Sequence, residues 1–330
     1  MISRTSILLL TLIFLFSGSL EAARLKIATL APEGGAWMKI MRKGGKEIEK
    51  ATSGRVKLKF YTGGVMGNDS AVLKKMRIGQ LNGGAITTTA LARRYPDINI
   101  YSLPFLFNNS DEAEYVRKTL DPYISKGLEK KGIILLGVAD GGFAYLLSRK
   151  PIRKIRDLKG TKSWIPVGDE VSGSVFRSAG INPVPLPIAD VYTGLQTGLI
   201  DTVTAPPMST IALQWHSRMK HLLDLPLAFV AGTLSIDKKA FRKISKDDQA
   251  TIKKIMAEKF KELGEINRSD NKKALDALKN QGIKFTKLSK DEEAPWRKLG
   301  DKASEKTIAQ LNPNVVKLVE DALKTYRASH

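Results

Sequence analysis

Two hydrophobic periods alternate along this chain, and that alternation narrows its fold more than any other feature. "RVKLKFYTGG" (55–64) puts Val56, Leu58 and Phe60 on one face with charges or Tyr61 between them, the period of a strand. "GNDSAVLKKMRIGQL" (67–81) then reads as a helix that starts at Asn68 or Asp69 and stops at Gly79. Before them, "RLKIAT" (24–29) is an alternating strand, and "APEGGAW" (31–37) is a loop leading into a helix that ends near Gly54. After them, "GGAITTTA" (83–90) reads as a short strand, and Asn109 with Glu112 as a capping box opening the next helix. "IILLGVADGG" (133–142) is continuously apolar, the mark of a buried strand. Strands alternating with helices predict an α/β fold with parallel sheets.

One plan occurs twice. "MRIGQLNGGAITTTA" (76–90) and "LQTGLIDTVTAPP" (195–207) each hold a helix end, a Gly stop, an apolar residue, Asn82 or Asp201, and a small strand rich in Thr. The echo suggests two similar lobes, although Gly at a helix C-terminus is common enough to produce it in unrelated units. Ligands of open α/β sheets sit off the carboxyl ends of strands, which points to Thr87–Thr89 and Thr204–Pro206 facing each other across a cleft. From Ser245 to Gly282 the pattern is helical, with Ser245 and Asp248 as a start signal. A helix of that length spans on the order of 50 Å and could brace two lobes, with Gly264 as a possible bend.

The chain opens with Arg4, an apolar run from Ile7 to Phe16, and small residues in "SGSLEAA" (17–23). That is the pattern of a secretory signal peptide cleaved near Ala22 or Ala23, and the run is short for a membrane span. A protein exported to a periplasm-like space is expected, and no later segment is apolar enough to cross a bilayer. The 330 residues contain no cysteine, which removes a lipid-anchor thiol, a thiol nucleophile and thiolate metal ligation. Net charge is +21, but the lysines are scattered along helical stretches and form no basic block with stacking aromatics. A solvated basic surface, not a nucleic-acid site, is the reading.

Little in the sequence looks catalytic. There is no phosphate-binding glycine loop, nucleophile elbow or metalloprotease motif. Of the three histidines, His216 and His221 are five residues apart, without an obvious carboxylate partner, so neither a metal nor a cofactor is expected. Asp69, or Asp169 with Glu170, could in principle act as acid and base, but loop carboxylates are ordinarily solvated.

Six segments in order carry a resemblance over nearly the whole chain after residue 23: "KIATLAPEGGAW", "ATSGRVKLKFYTGGVMGND", "LKKMRIGQLNGG", "LPFLF", "IRDLKGTKSWIP" and "DVYTGLQTGLIDTVTAPP". The chain resembles the substrate-binding proteins of TRAP transporters, the DctP type. The resemblance implies a two-lobed periplasmic binding protein fold with a hinge and a long C-terminal helix across both lobes. Lobe one would hold 24–141 and 233–272, lobe two 142–232 and 273–330. The loaded protein would deliver its ligand to the small and large integral membrane subunits of an ion-driven transporter. An additional periplasmic partner occurs with some relatives.

In typical members an Arg stands where this chain has Trp164, and that Arg grips the substrate carboxylate through paired N–H bonds. A second Arg often stands at the position of Ala144 and an Asn at that of Ala205. All three positions are apolar here. The resemblance therefore implies a cleft walled by Trp164, Phe143, Ala144, Ile188 and Ala205, suited to a less polar ligand. Thr87, Thr88 and Asp69 would fix its polar groups, with Pro206, Trp215 and Trp37 as further cleft candidates. Three other readings stay open at this point. An organic acid could be held by a different cation such as Lys162 or by a metal; the protein could present ligand to a sensor; or it could be an exported enzyme.

Overall fold

The computed structural model describes residues 22–330, so all but the last two residues of the expected signal segment lie outside it. Its strands are β1 (Ala23–Ala28), β2 (Val56–Tyr61), β3 (Gly83–Thr87), β4 (Ile133–Ser148), β5 (Trp164–Pro166), β6 (Val184–Leu186), β7 (Thr202–Ala205), β8 (His221–Asp237) and β9 (Lys284–Thr286). The main sheet runs β2-β1-β3-β8-β4-β7, with β9 also on β8, and β5 pairs with β6. A bridge from Ser163 to Thr202 joins the start of β5 to β7.

β4 and β8, 16 and 17 residues long, run antiparallel to each other from one end of the molecule to the other. The first part of β4 and the last part of β8 belong to a half completed by β3, β1 and β2. Their opposite ends belong to a half completed by β7, β5, β6 and β9. The two strands slip register between Asp140 and Phe143, where Gly141 and Gly142 sit and Gly142 takes φ +85°. In sequence the glycine pair looks like a strand end; in the fold it is a break inside a strand that continues to Ser148.

The internal echo is a structural repeat. Asn82 accepts the Lys26 amide on Oδ1 at 2.8 Å and donates its own amide to the Lys26 carbonyl at 2.9 Å. In the other half Asp201 accepts the Lys162 amide at 2.9 Å and donates to the Lys162 carbonyl at 3.0 Å. β3 and β7 thus begin with the same side-chain clasp, one flanking β8 and the other flanking β4.

The helices are α1 (Ala36–Ala51), α2 (Asp69–Arg77), α3 (Thr88–Ala92), α4 (Ser110–Lys130), α5 (Glu170–Ser178), α6 (Val191–Thr197), α7 (Pro207–Ala212), α8 (Lys238–Arg242), α9 (Lys246–Asn280), α10 (Lys290–Ile308) and α11 (Pro313–Ser329). Asn68 caps α2 by accepting the Ala71 amide, and Asn109 caps α4 by accepting the Glu112 amide. Glu112 returns its carboxylate to the Asn108 amide and to Arg327, not to Asn109, so only half of the expected capping box forms. The threonine run is only partly strand: Thr87 ends β3 and its hydroxyl caps α3.

α9 is 35 residues long, starts with Ser245 capping the Asp248 amide, and passes Gly264 unbroken. It packs Ile252, Met256, Phe260 and Leu263 into the core of the first half and Leu278 into that of the second. The last helix departs from expectation. Sequence reading placed 273–330 with the second lobe, but Val315, Val319 and Leu323 of α11 join the core that holds Val116, Leu120 and Ile124 of α4. Their i, i+4, i+8 spacing forms one apolar stripe, and it matches the stripe on α4. Among the described residues no helix is long and apolar enough to cross a membrane.

Candidate ligand-binding cleft

The carboxyl ends of β3, β7 and β5 converge where the two halves meet, and a cavity of about 240 Å³ lies between them. The first half contributes Thr87–Thr89 and the turn from Ser102 to Phe105; the second contributes residues from β5, α5, β7 and α7. The crossing strands supply a floor that includes Ala144, Leu146 and Phe229, and α10 closes one end with Trp296 and Leu299.

Trp164 stands in the wall, 4% exposed, with its ring edge-on to Trp215 at 5.1 Å between centroids. Its Nε1–H donates to the Leu186 carbonyl at 3.0 Å, so the indole's single donor is engaged with β6 and the ring offers the cavity an apolar surface. Ala144 and Ala205, the other two positions where the resemblance implies polar groups, are buried in the lining as well. Thr87, Thr88, Ile188, Pro206 and Trp215 complete the expected residues that the fold brings together.

Three expected residues lie outside the lining. Phe143 packs edge-on against Phe229, its cross-strand partner, and so supports a residue of the floor. Asp69 accepts both the amide and the hydroxyl of Thr87, at 3.0 and 2.6 Å. It therefore holds the β3–α3 turn; burial raises its carboxyl above the usual range, against the lowering effect of those bonds. Trp37 faces Phe260 edge-on at 5.7 Å within the core between α1 and α9. Lys162, weighed as a substitute cation, is exposed and gives its Nζ to the Gly198 carbonyl at 2.8 Å, outside the lining.

Sequence reasoning missed Phe105, Phe176, Trp296 and Leu299, which chain position alone does not connect. Trp296 does pack, donating Nε1–H to the Arg153 carbonyl at 3.1 Å, while its ring also lines the cavity. Asp169 was treated as a solvated loop carboxylate. Instead it lines the cavity at the start of α5, accepting the amide and hydroxyl of Ser172 at 3.0 and 2.7 Å. Burial pushes its carboxyl up, against the lowering effect of those bonds.

A roomier concavity, about 620 Å³, lies within the first half and carries Arg77, Arg94, Lys131, Lys239 and Arg242. Arg77 and Arg242 end α2 and α8, and Lys131 follows α4, where cations offset the helix carbonyl ends. The two halves do not meet there, so it lacks the feature that lets a cleft close. The smaller cavity is the better ligand site.

This geometry, two repeated α/β lobes on shared strands with a cavity between strand ends, defines a solute-binding protein. The family of bacterial extracellular solute-binding proteins, family 7 (DctP), matches residues 27–311, and the chain belongs to it. The 2,3-diketo-L-gulonate-binding periplasmic protein YiaO of Escherichia coli K12 is 27% identical over 241 residues, 72% of each chain. The C4-dicarboxylate-binding periplasmic protein DctP of Rhodobacter capsulatus is 25% identical over 257 residues, 76% of each. Among solved structures, the sugar acid binding protein of Advenella mimigardefordensis in complex with galactonate superposes with TM-score 0.86 at 23% identity, covering 92% of this chain and 98% of that one. A TRAP periplasmic solute binding protein of Desulfovibrio salexigens with bound orotic acid gives TM-score 0.86 at 20% identity, covering 92% and 99%. The protein is thus a DctP-type extracellular solute-binding protein.

Proposed function

We propose that this protein captures a small ligand with an apolar or aromatic body, by closure of its lobes and without turnover, and does not serve a conventional dicarboxylate. The carrying observation is the lining itself: among the described residues it contains no Lys, Arg or His, and Trp164 stands in its wall where the family resemblance implies an Arg. A buried carboxylate deprived of its cation costs several kcal/mol, so the acids bound by the relatives fit this cavity poorly. Thr89, Thr204 and Ser209 supply hydroxyls for the few polar groups of a ligand. At about 240 Å³ the cavity is smaller than typical drug-sized sites, which matches a compact molecule.

The lobes of this reading are 24–141 with 233–272, and 142–232 with 273–311, with α11 returning to the first. Export by a signal peptide ending near Ala22 or Ala23 would place the protein in the periplasm. Native mass spectrometry of protein purified from its own periplasm, followed by solvent extraction, tests the ligand class. An apolar or aromatic compound, absent from a Trp164→Arg variant, is the expected result. A small dicarboxylate retained by the wild type overturns it.

A further inference from the structure

Among the described residues Asp169 contributes the one ionisable side chain in the cavity lining, and it is an acid. Its capping role on α5 accounts for the bonds to Ser172, and the helix dipole favours an acid there, but capping leaves part of the carboxylate's acceptor capacity unused. A carboxylate offers about four lone-pair positions. Ser172 takes one on each oxygen, so even with a further contribution from the Val171 amide at least one acceptor position remains. Around this acid the walls are aromatic: Trp164, Trp215, Phe105, Phe176 and Trp296. Ring faces attract cations and are indifferent to anions at best. A ligand carboxylate would find an acid and no cation in a poorly solvated space, whereas an ammonium would favour the ionised form of Asp169 and find both a counter-ion and π-faces.

We propose that the ligand is an amine, its ammonium group directed to Asp169 and its apolar or aromatic body packed between Trp164 and the α10 end of the cavity. This rests on the reading of the cavity as the ligand site and adds the charge of the occupant. Asp169 is then the specificity-determining residue, at the carboxyl end of β5 five residues beyond Trp164.

Calorimetric titration of the purified protein with 2-phenylethylamine, 2-phenylethanol and 3-phenylpropanoate separates the possibilities, since the three share an aromatic body. The wild type should bind the amine most tightly and the carboxylate least. Asp169→Asn keeps a good helix cap, and should weaken the amine roughly ten- to hundredfold while leaving the alcohol nearly unchanged. Circular dichroism and melting of the variant confirm that it is folded. Equal binding of amine and alcohol, or an amine preference that survives Asp169→Asn, overturns the amine proposal and leaves the apolar-ligand reading standing. Tightest binding of the carboxylate overturns both. No binding of any of the three at millimolar concentration overturns the aromatic-amine class.

Discussion

Trp164 has a double attachment, its N–H on the Leu186 carbonyl and its ring on Trp215, and both depend on the indole. Trp164→Ala should therefore cost about 3 kcal/mol of stability, the lower end for a large aromatic because one side of the ring already borders a cavity. The denaturant midpoint checks this; a loss below roughly 1 kcal/mol would mean that the ring is not part of the core. Trp164→Phe keeps most of the ring and should lose less than the Ala variant; what it still loses relative to wild type reports mainly the hydrogen bond to Leu186. At this scale the sequence was informative where residue type determined the surface offered. The family resemblance picked out the positions of Trp164, Ala144 and Ala205, and their residue types then implied an apolar wall. Asp169 could not be read in this way, because whether a loop carboxylate looks inward depends on the turn from β5 into α5, and one Asp in "VGDE" carries no sign of it. Asp69 misled for the opposite reason: it lies near the strand end, but both Thr87 donors turn it towards the backbone.

Elements show the same division. α9 was legible from its Ser245 start signal and long helical period, and the repeat was legible in Asn82 and Asp201. β8 left no clear pattern: Pro226 and Gly232 interrupt "HLLDLPLAFVAGTLSID", and both residues ordinarily argue against a central strand. The break in β4 is built for a missing side chain. Gly142 combines φ +85° with a position where an added Cβ would stand 2.6 Å from Asn271 Nδ2. Asn271 in turn donates to the Gly141 carbonyl and accepts the Met208 amide, tying α9 to both the crossing strand and α7. Gly142→Ala should cost about 1–3 kcal/mol; a melting temperature equal to wild type would remove the strain argument. A second element contact is pH-dependent. Arg153 pairs with Glu292 through two N–H bonds, fastening the segment before the 155–158 turn to α10. The Arg153 bond chiefly holds the Glu292 carboxyl down at about 2, from an ordinary 4.5. A depressed acid contributes stability above its unfolded value and loses it as pH falls through the folded one. The melting-temperature advantage of wild type over Glu292→Gln should be full above pH 4.5 and shrink towards pH 2. An advantage independent of pH would show that the ion pair contributes nothing.

The whole molecule joins its halves through β4, β8 and α9, and the cavity draws its lining from both halves. A molecule touching Thr89 on one side and Ser209 on the other makes its full set of contacts only when the halves are together. Binding then favours the closed form by its differential affinity for it, and no contact between the halves themselves needs to change. Three consequences follow together. Small-angle scattering should show a smaller radius of gyration at saturation than in ligand-free protein. Hydrogen exchange should slow at 87–89 and at 204–209 alike, because closure covers both strand ends. Thermal stability should rise with ligand concentration, by about 2.7 kcal/mol at a free concentration one hundred times the dissociation constant. The coincidence of the first two is the decisive part. Stabilisation with an unchanged radius, and protection confined to one half, would mean that the ligand occupies a preformed pocket in a single lobe. In that case the shared strands would serve as a rigid frame, and delivery to the membrane subunits would need a signal other than closure. Asn271→Ala sharpens the comparison, since it frees α9 from the Gly141 carbonyl and the Met208 amide without touching the lining. It should widen the ligand-free form measured by scattering and leave the saturated form close to wild type.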